Sequence, residues 1–117
     1  MNERVIVVDD EPLILSTIDR ALGKSGYIVE TTSSADEFLG ALSSGTFDLL
    51  IMDLHLGGVR PDALLEKTKE LAPSAQVLVI SGSVGGLSGK CFLQKPFRVE
   101  ELRQKVRALL DERGCKP

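Results

Sequence analysis

The chain has 117 residues, of which 43% are hydrophobic, and this suits one ordinary domain with a buried core. Its formal net charge of −3 provides no overall basic field to attract nucleic acid, and no apolar run approaches the roughly 20 residues that a membrane-spanning helix needs. The first residues also lack the basic region and long apolar run of a secretory signal. We therefore expect a single cytoplasmic domain over residues 1–117, with no direct nucleic-acid binding and no membrane segment.

The first apolar segment ends abruptly on acidic residues. Val5–Val8 reads as a buried strand, and Asp9, Asp10 and Glu11 follow it directly. Pro12 then suits the first turn of a helix, where its missing N–H costs little. The pattern predicts a strand that delivers carboxylates to the rim of a sheet.

The rest of the chain alternates between strands and helices in the same way. Short apolar or β-branched runs predict the strands Arg4–Asp9, Tyr27–Thr31, Leu49–Asp53, Gln76–Ile80 and Cys91–Gln94. Apolar residues at helical spacing predict helices at Leu13–Lys24, from the capping box of Ser34, from Pro61 and from Val99. Such alternation indicates an α/β fold with a doubly wound parallel sheet.

One segment departs from this alternation. Residues 81–90 read Ser-Gly-Ser-Val-Gly-Gly-Leu-Ser-Gly-Lys, where a helix between the fourth and fifth strands would be expected. Each interior glycine destabilises a helix by about 1 kcal/mol relative to alanine, so these glycines oppose a helix by about 4 kcal/mol. We expect a loop here, with that helix missing or very short.

Polar side chains follow the carboxyl ends of the predicted strands. Asp9 and Asp10 follow the first strand, Asp53 closes the third, Ser81 follows the fourth and Lys95 follows the fifth. Parallel strands end at one edge of a sheet, so we expect these residues to converge at the switch point between the first and third strands. Mg²⁺ or Mn²⁺ would keep the carboxylates ionised, and the lysine and serine would hold an anion, for which phosphate is the obvious candidate.

With these residues in this order, the chain resembles the receiver domain of two-component response regulators. The resemblance extends from Arg4 to Leu110 and rests on Asp9-Asp10, Asp53, Ser81-Gly82 and Lys95-Pro96-Phe97, in register with the five strands. It implies a flavodoxin-like, five-stranded parallel sheet with the strand order 2-1-3-4-5. It also implies that the Lys95–Pro96 bond is cis.

The resemblance further implies a reaction and a metal. Asp53 would be the phosphoacceptor, and the donor would be a phosphohistidine on a sensor histidine kinase or histidine phosphotransfer protein. Mg²⁺, or Mn²⁺ in its place, would be bound by Asp9, Asp10, Asp53 and the backbone carbonyl of His55, with Asp9 acting mainly through a coordinated water. Such a domain is a signalling switch for an unknown downstream protein, and it assists only its own phosphorylation and dephosphorylation.

The remaining implied roles concern the phosphoryl group and the switch. Ser81 and Lys95 would bind phosphoryl oxygens, together with the backbone N–H groups of Leu54 and Gly82. Ser81 would move toward the phosphoryl group and vacate space that Phe92 can fill.

Two places depart from the family pattern. Gly57 stands where a proline is usual and Pro61 where a glycine is usual, although neither supplies a side-chain ligand. The Gly/Ser segment replaces the helix on which many receivers build their output surface, so we expect that surface to be missing or remodelled.

Simpler interpretations of single residues stay open. Asp9, Asp10 and Glu11 could be ordinary acids at a helix N-terminus, and Asp53 could be a strand-end cap. Ser81 could merely begin a loop, and Phe92 could be a core residue. His55 is expected to be an exposed loop residue that contributes only its backbone.

Two other functions also stay open. One is a phosphorylation-independent interaction module that kept the fold and lost the switch. The other is a Mg²⁺-dependent phosphatase with Asp53 as nucleophile, against which stands His55 where a second Asp often acts as general acid.

Overall fold

The computed structural model describes residues 2–82 and 91–112 and contains one parallel sheet with the strand order β2-β1-β3-β4-β5. The strands are β1 Arg4–Val8, β2 Ile28–Thr32, β3 Leu49–Asp53, β4 Gln76–Ser81 and β5 Phe92–Gln94. The helices within the described ranges are α1 Pro12–Lys24, α2 Ala35–Ser44, α3 Pro61–Leu71 and α4 Val99–Glu112. The predicted fold class and strand order are confirmed. Strand β3 has its predicted bounds, whereas β1, β2, β4 and β5 differ from theirs by one residue at one or both ends.

Side chains that alternate along the strands divide the core into two layers. Val5 and Val7 of β1 belong to the layer that also contains buried residues of α1 and α4, whereas Ile6 and Val8 belong to the layer with α2 and α3. A strand covered on both faces has no polar side, which explains the continuous apolar sequence of β1 and β3. The edge strand β2 is largely exposed and carries polar residues accordingly.

The helix starts follow from local sequence. Proline occupies the first turn of both α1 and α3. Ser34 caps α2, since its Oγ accepts a 3.2 Å hydrogen bond from the Glu37 N–H, and the Glu37 carboxylate accepts a 2.8 Å bond from the Ser33 N–H. The predicted capping box is present, with the return bond shifted to the residue before the cap.

Helix α4 follows β5 and packs against one face of the sheet. Leu102, Val106 and Leu109 are fully buried in the layer shared with α1. Arg107 links α4 to the residues just before β1 and β2 by donating 3.0 Å hydrogen bonds to a Glu3 carboxylate oxygen and to the Tyr27 hydroxyl. The connection from β5 to α4 contains the Lys95–Pro96 bond, which is cis, as the resemblance implies.

The helix expected to be missing or very short falls on residues 83–90, which lie outside the described residues. Across the part of the chain that is described, no helix is long and apolar enough to cross a membrane.

Candidate functional site

The strand register brings the predicted polar residues to one edge of the sheet. Val8 of β1 pairs with Met52 of β3, and Asp53 pairs with Ile80 of β4. These strands therefore end nearly level. Carboxylate oxygens of Asp9, Asp10, Glu11 and Asp53 all lie within 4.8 Å of one another. The predicted convergence of acids is found, and Glu11 belongs to the cluster as well.

Lys95 lies among these carboxylates. Its Nζ is 2.8 Å from Glu11 Oε1, 2.9 Å from Asp9 Oδ2 and 3.4 Å from Asp53 Oδ2. Its side chain is only 14% exposed, so these interactions are poorly screened by water. Burial by itself would lower the pKa of Lys95, but its close contacts with the Glu11 and Asp9 carboxylates and the charges of Asp9 and Asp53 raise it above its usual value. The ammonium group therefore stays charged.

Asp9 is fully buried, and its two carboxylate oxygens differ in their surroundings. Oδ1 accepts a 2.9 Å hydrogen bond from the Glu11 N–H. Oδ2 forms the ion pair with Lys95 but has no well-aligned hydrogen bond from any described residue. Burial raises the pKa of Asp9, and the Glu11 N–H and Lys95 oppose this rise only in part.

The donor set at this edge fits a hard divalent cation. All of its ligand groups are carboxylates, and Asp9 Oδ2 is a buried oxygen with unused capacity as a ligand.

Asp10 is exposed and lines a cavity of about 410 Å³. The cavity lies between the start of α2 and the loop after β3, and Ser34, Asp36 and Gly58 also line it. It gives the cluster an open side toward solvent.

Asp53 is buried, and backbone and side-chain donors hold its carboxylate on two sides. Oδ1 accepts a 3.0 Å hydrogen bond from the His55 N–H, while Oδ2 faces Lys95. The Leu54 N–H, the expected donor to a phosphoryl oxygen, donates here to the Ile80 carbonyl at 3.1 Å. The backbone donor on the Asp53 carboxylate in this structure is therefore His55.

Sequence reasoning missed the His55 N–H and the side chain of Glu11. A usable signal existed for the first, because an Asp side chain often accepts the N–H two residues further on, as both Asp9 and Asp53 do here. No local pattern identifies the partner of Glu11, since Lys95 is 84 residues away along the chain.

Of the other predicted residues, Ser81 and Gly82 lie at the same edge, whereas Phe92 lies two residues back from it. Ser81 is buried at the end of β4, and its carbonyl accepts a 2.8 Å hydrogen bond from the Lys95 N–H. Gly82 is exposed next to it. Phe92 begins β5 opposite Val79 and is half-buried, so it is neither a full core residue nor a surface residue. The His55 side chain is exposed, as expected.

Comparison with known proteins agrees with this arrangement. The response regulator receiver domain family model matches residues 5–107. Among curated proteins, response regulator MprA of Mycobacterium bovis is 33% identical, with 100% of this chain and 54% of the relative covered. Two-component response regulator PhoP of Pseudomonas aeruginosa is 30% identical, with 92% and 51% covered. The chain thus spans about half the length of the curated relatives that it matches.

Solved structures show the same similarity. The receiver domain of hybrid histidine kinase CckA is 33% identical, with a TM-score of 0.80 and with 92% of this chain and 98% of that chain covered. A CheY-like receiver domain protein from Methanospirillum hungatei JF-1 is 27% identical, with a TM-score of 0.85 and 96% of both chains covered. Sheet order, converging acids, sequence and structure thus lead to one conclusion: the chain belongs to the response regulator receiver domain family.

Proposed function

We propose that residues 1–117 form one receiver domain that accepts a phosphoryl group on Asp53 and then changes a protein-binding surface. The donor would be a phosphohistidine of a sensor histidine kinase or histidine phosphotransfer protein, and the recipient of the signal a downstream protein. The observation that carries the proposal is the setting of the Asp53 carboxylate, with the Lys95 ammonium at 3.4 Å and the His55 N–H at 3.0 Å. A carboxylate nucleophile beside a fixed cation suits phosphoryl transfer, which depends mainly on positioning and on charge stabilisation.

In the proposed reaction a carboxylate oxygen of Asp53 attacks phosphorus. The phosphorus–nitrogen bond of the phosphohistidine breaks, and the imidazole nitrogen keeps the electron pair and takes up a proton. The Lys95 ammonium would offset charge on the phosphoryl oxygens, and the Ser81 hydroxyl and Gly82 N–H would donate to them. The Leu54 N–H can join only if it shares or leaves its hydrogen bond to the Ile80 carbonyl.

Asp9, Asp10, Asp53 and the backbone carbonyl of His55 would hold Mg²⁺, or Mn²⁺ in its place. When bound, the ion would neutralise the carboxylates and the incoming phosphoryl charge. Two observations support this assignment. They are the close carboxylate cluster and the similarity to response regulator TrrA of Thermotoga maritima, 27% identical, whose structure is in complex with Mg²⁺ and BeF.

The output side of the proposal concerns Ser81 and Phe92. Ser81 ends β4 at the site, and Phe92 begins the neighbouring strand β5 with a half-buried ring. Ser81 would move toward a phosphoryl group on Asp53, and the ring of Phe92 would follow into the vacated space. These two movements would couple phosphorylation of Asp53 to a change in the protein surface at β4 and β5.

The test is phosphorylation by a small donor. The protein is incubated with Mg²⁺ and acetyl phosphate, and intact mass is measured. We expect one phosphoryl adduct that is stable in acid, labile in base and absent from Asp53→Asn. Asp62→Asn, at an exposed aspartate of α3, should keep the adduct. Absence of any adduct across several donors would favour a phosphorylation-independent interaction module instead.

A further inference from the structure

Glu11 is the residue of the acidic cluster to which the proposed reaction assigns no task. Its side chain is 59% exposed, yet its Oε1 makes the shortest of the Lys95 contacts, at 2.8 Å. The contact from Lys95 to Asp53 is longer, at 3.4 Å. The ammonium group therefore lies on the side of the site occupied by Glu11 and Asp9.

The local backbone explains why the Glu11 carboxylate is available for this contact. Glu11 is the N-cap residue of α1, but its side chain does not cap the helix. Its N–H donates to Asp9 Oδ1, and its carbonyl accepts from the N–H groups of Ile14 and Leu15. The backbone is therefore fixed at both ends of the residue, while the carboxylate extends toward Lys95.

We propose that Glu11 is a positioning residue that holds Lys95 on the Asp9 side and opposes the movement of its ammonium group toward a phosphoryl group on Asp53. The inference rests on the proposed function, in which Lys95 must bind phosphoryl oxygens. Glu11 and these oxygens compete for the same ammonium group. Breaking the Glu11 contact is then part of phosphorylation.

The size of the effect follows from the exposure of Glu11. A partly exposed ion pair is screened by water and salt, so loss of the Glu11 contact should change the affinity of Lys95 for an anion by about two- to fivefold. The direction matters more than the size, because removal of an acid that merely supports the site would weaken anion binding.

The test compares Glu11→Gln, which removes the charge, with Glu11→Asp, which keeps the charge on a side chain one methylene shorter. Two quantities are measured at saturating Mg²⁺. One is the acetyl phosphate concentration that gives half-maximal phosphorylation rate, and the other is the affinity for beryllofluoride, followed by fluorine NMR. We expect both variants to bind beryllofluoride about two- to fivefold more tightly and to lower the half-saturating donor concentration by a similar factor, with a smaller change in the maximal rate.

Asp36→Asn serves as the charge control. It removes one negative charge from the cavity beside Asp10, whereas the ion pairs of Lys95 are with Asp9, Glu11 and Asp53. Unchanged anion binding in both Glu11 variants overturns the inference. The inference is also overturned if Glu11→Gln and Asp36→Asn bind the anion more tightly to the same extent while Glu11→Asp does not. Such a result would show a general charge effect. Weaker anion binding in both Glu11 variants would show that Glu11 guides Lys95 toward Asp53, which also contradicts the inference.

The two readouts separate this inference from the proposed function. If the wild-type protein forms no adduct with acetyl phosphate or any other small donor, the proposed function fails, but beryllofluoride affinity still reports the position of Lys95 without turnover. If the wild-type protein forms the adduct and the Glu11 variants behave like it, only the role of Glu11 is overturned. If beryllofluoride binds to none of the proteins, both proposals fail.

Discussion

Lys95 Nζ lies 3.4 Å from Asp53 Oδ2, although 42 residues separate the two along the chain. Backbone pairing produces this proximity. Asp53 pairs with Ile80 at the end of β4, and the Lys95 N–H donates to the carbonyl of Ser81, the next residue. One strand end thus sets the positions of both the carboxylate and the ammonium group.

Replacement of Lys95 by methionine should destabilise the metal-free protein. Asp9 and Asp53 are buried and would lose their shared cation, so we expect the free energy of unfolding at neutral pH to fall by about 2–4 kcal/mol. Urea denaturation measures the change, and saturating Mg²⁺ should recover part of it. Lys67→Met, at an exposed position of α3, should stay within about 0.5 kcal/mol of wild type. Equal losses in the two variants would contradict the structural account of Lys95.

Mg²⁺ should raise the stability of the wild-type protein, and Asp10→Asn should remove most of the increase. A ligand at 100 times its dissociation constant stabilises the folded state by about 2.7 kcal/mol. Asp10 is exposed, so its loss should change metal-free stability little. Thermal unfolding with and without Mg²⁺ checks this, with Asp19→Asn, an exposed acid of α1, as the control. A full Mg²⁺ shift in Asp10→Asn would remove Asp10 from the proposed ligands.

The start of α2 should give a pH-dependent contribution to stability. The Ser33 N–H and hydroxyl donate to the Glu37 carboxylate and hold the pKa of Glu37 below its usual value of 4.5. At pH values between the lowered pKa of the folded state and the usual 4.5 of the unfolded chain, the unfolded chain binds more protons. The contribution of Glu37 to stability is therefore present above pH 4.5 and is lost as pH falls through the folded-state pKa. Glu37→Gln should therefore be less stable than wild type at neutral pH, and this difference should shrink on acidification.

Urea unfolding at several pH values between about 3 and 7 measures that difference, since this range includes the usual carboxyl pKa. Glu66→Gln, at an exposed position of α3, is the matched control and should show no such trend. A constant difference between Glu37→Gln and wild type across the range would show that the carboxylate is not bonded as described.

Truncation of Leu102 should destabilise the fold through loss of packing. This side chain is fully buried in the layer between α1, α4 and the sheet, so Leu102→Ala should lower the free energy of unfolding by about 2–5 kcal/mol. Leu13 is 79% exposed on α1, and Leu13→Ala should change stability by no more than about 0.5 kcal/mol. Chemical denaturation distinguishes them, and a small effect at Leu102 would mean that α4 does not pack as described.

Sequence alone determined the strands, the helices and the edge at which the polar residues meet. β1 and β3 are short apolar runs that stop on acids, and this pattern is local, so neither strand needed the tertiary structure to be recognised. Alternation with helices then implied parallel strands, whose carboxyl ends share one edge. Asp9, Asp53 and Lys95 could therefore be assigned to one site.

Only the tertiary structure decided which atoms meet at that site. Hydrogen-bond partners depend on strand register and on turn geometry, and the identity of a single residue determines neither. The Leu54 N–H donates to the Ile80 carbonyl because β3 pairs with β4 in this register. The His55 N–H bond to Asp53, in contrast, has a local signal in the Asp two residues earlier. Glu11 looked like one more acid at a helix start, and its contact with Lys95 exists because β1 and β5 end at the same edge of a five-stranded sheet.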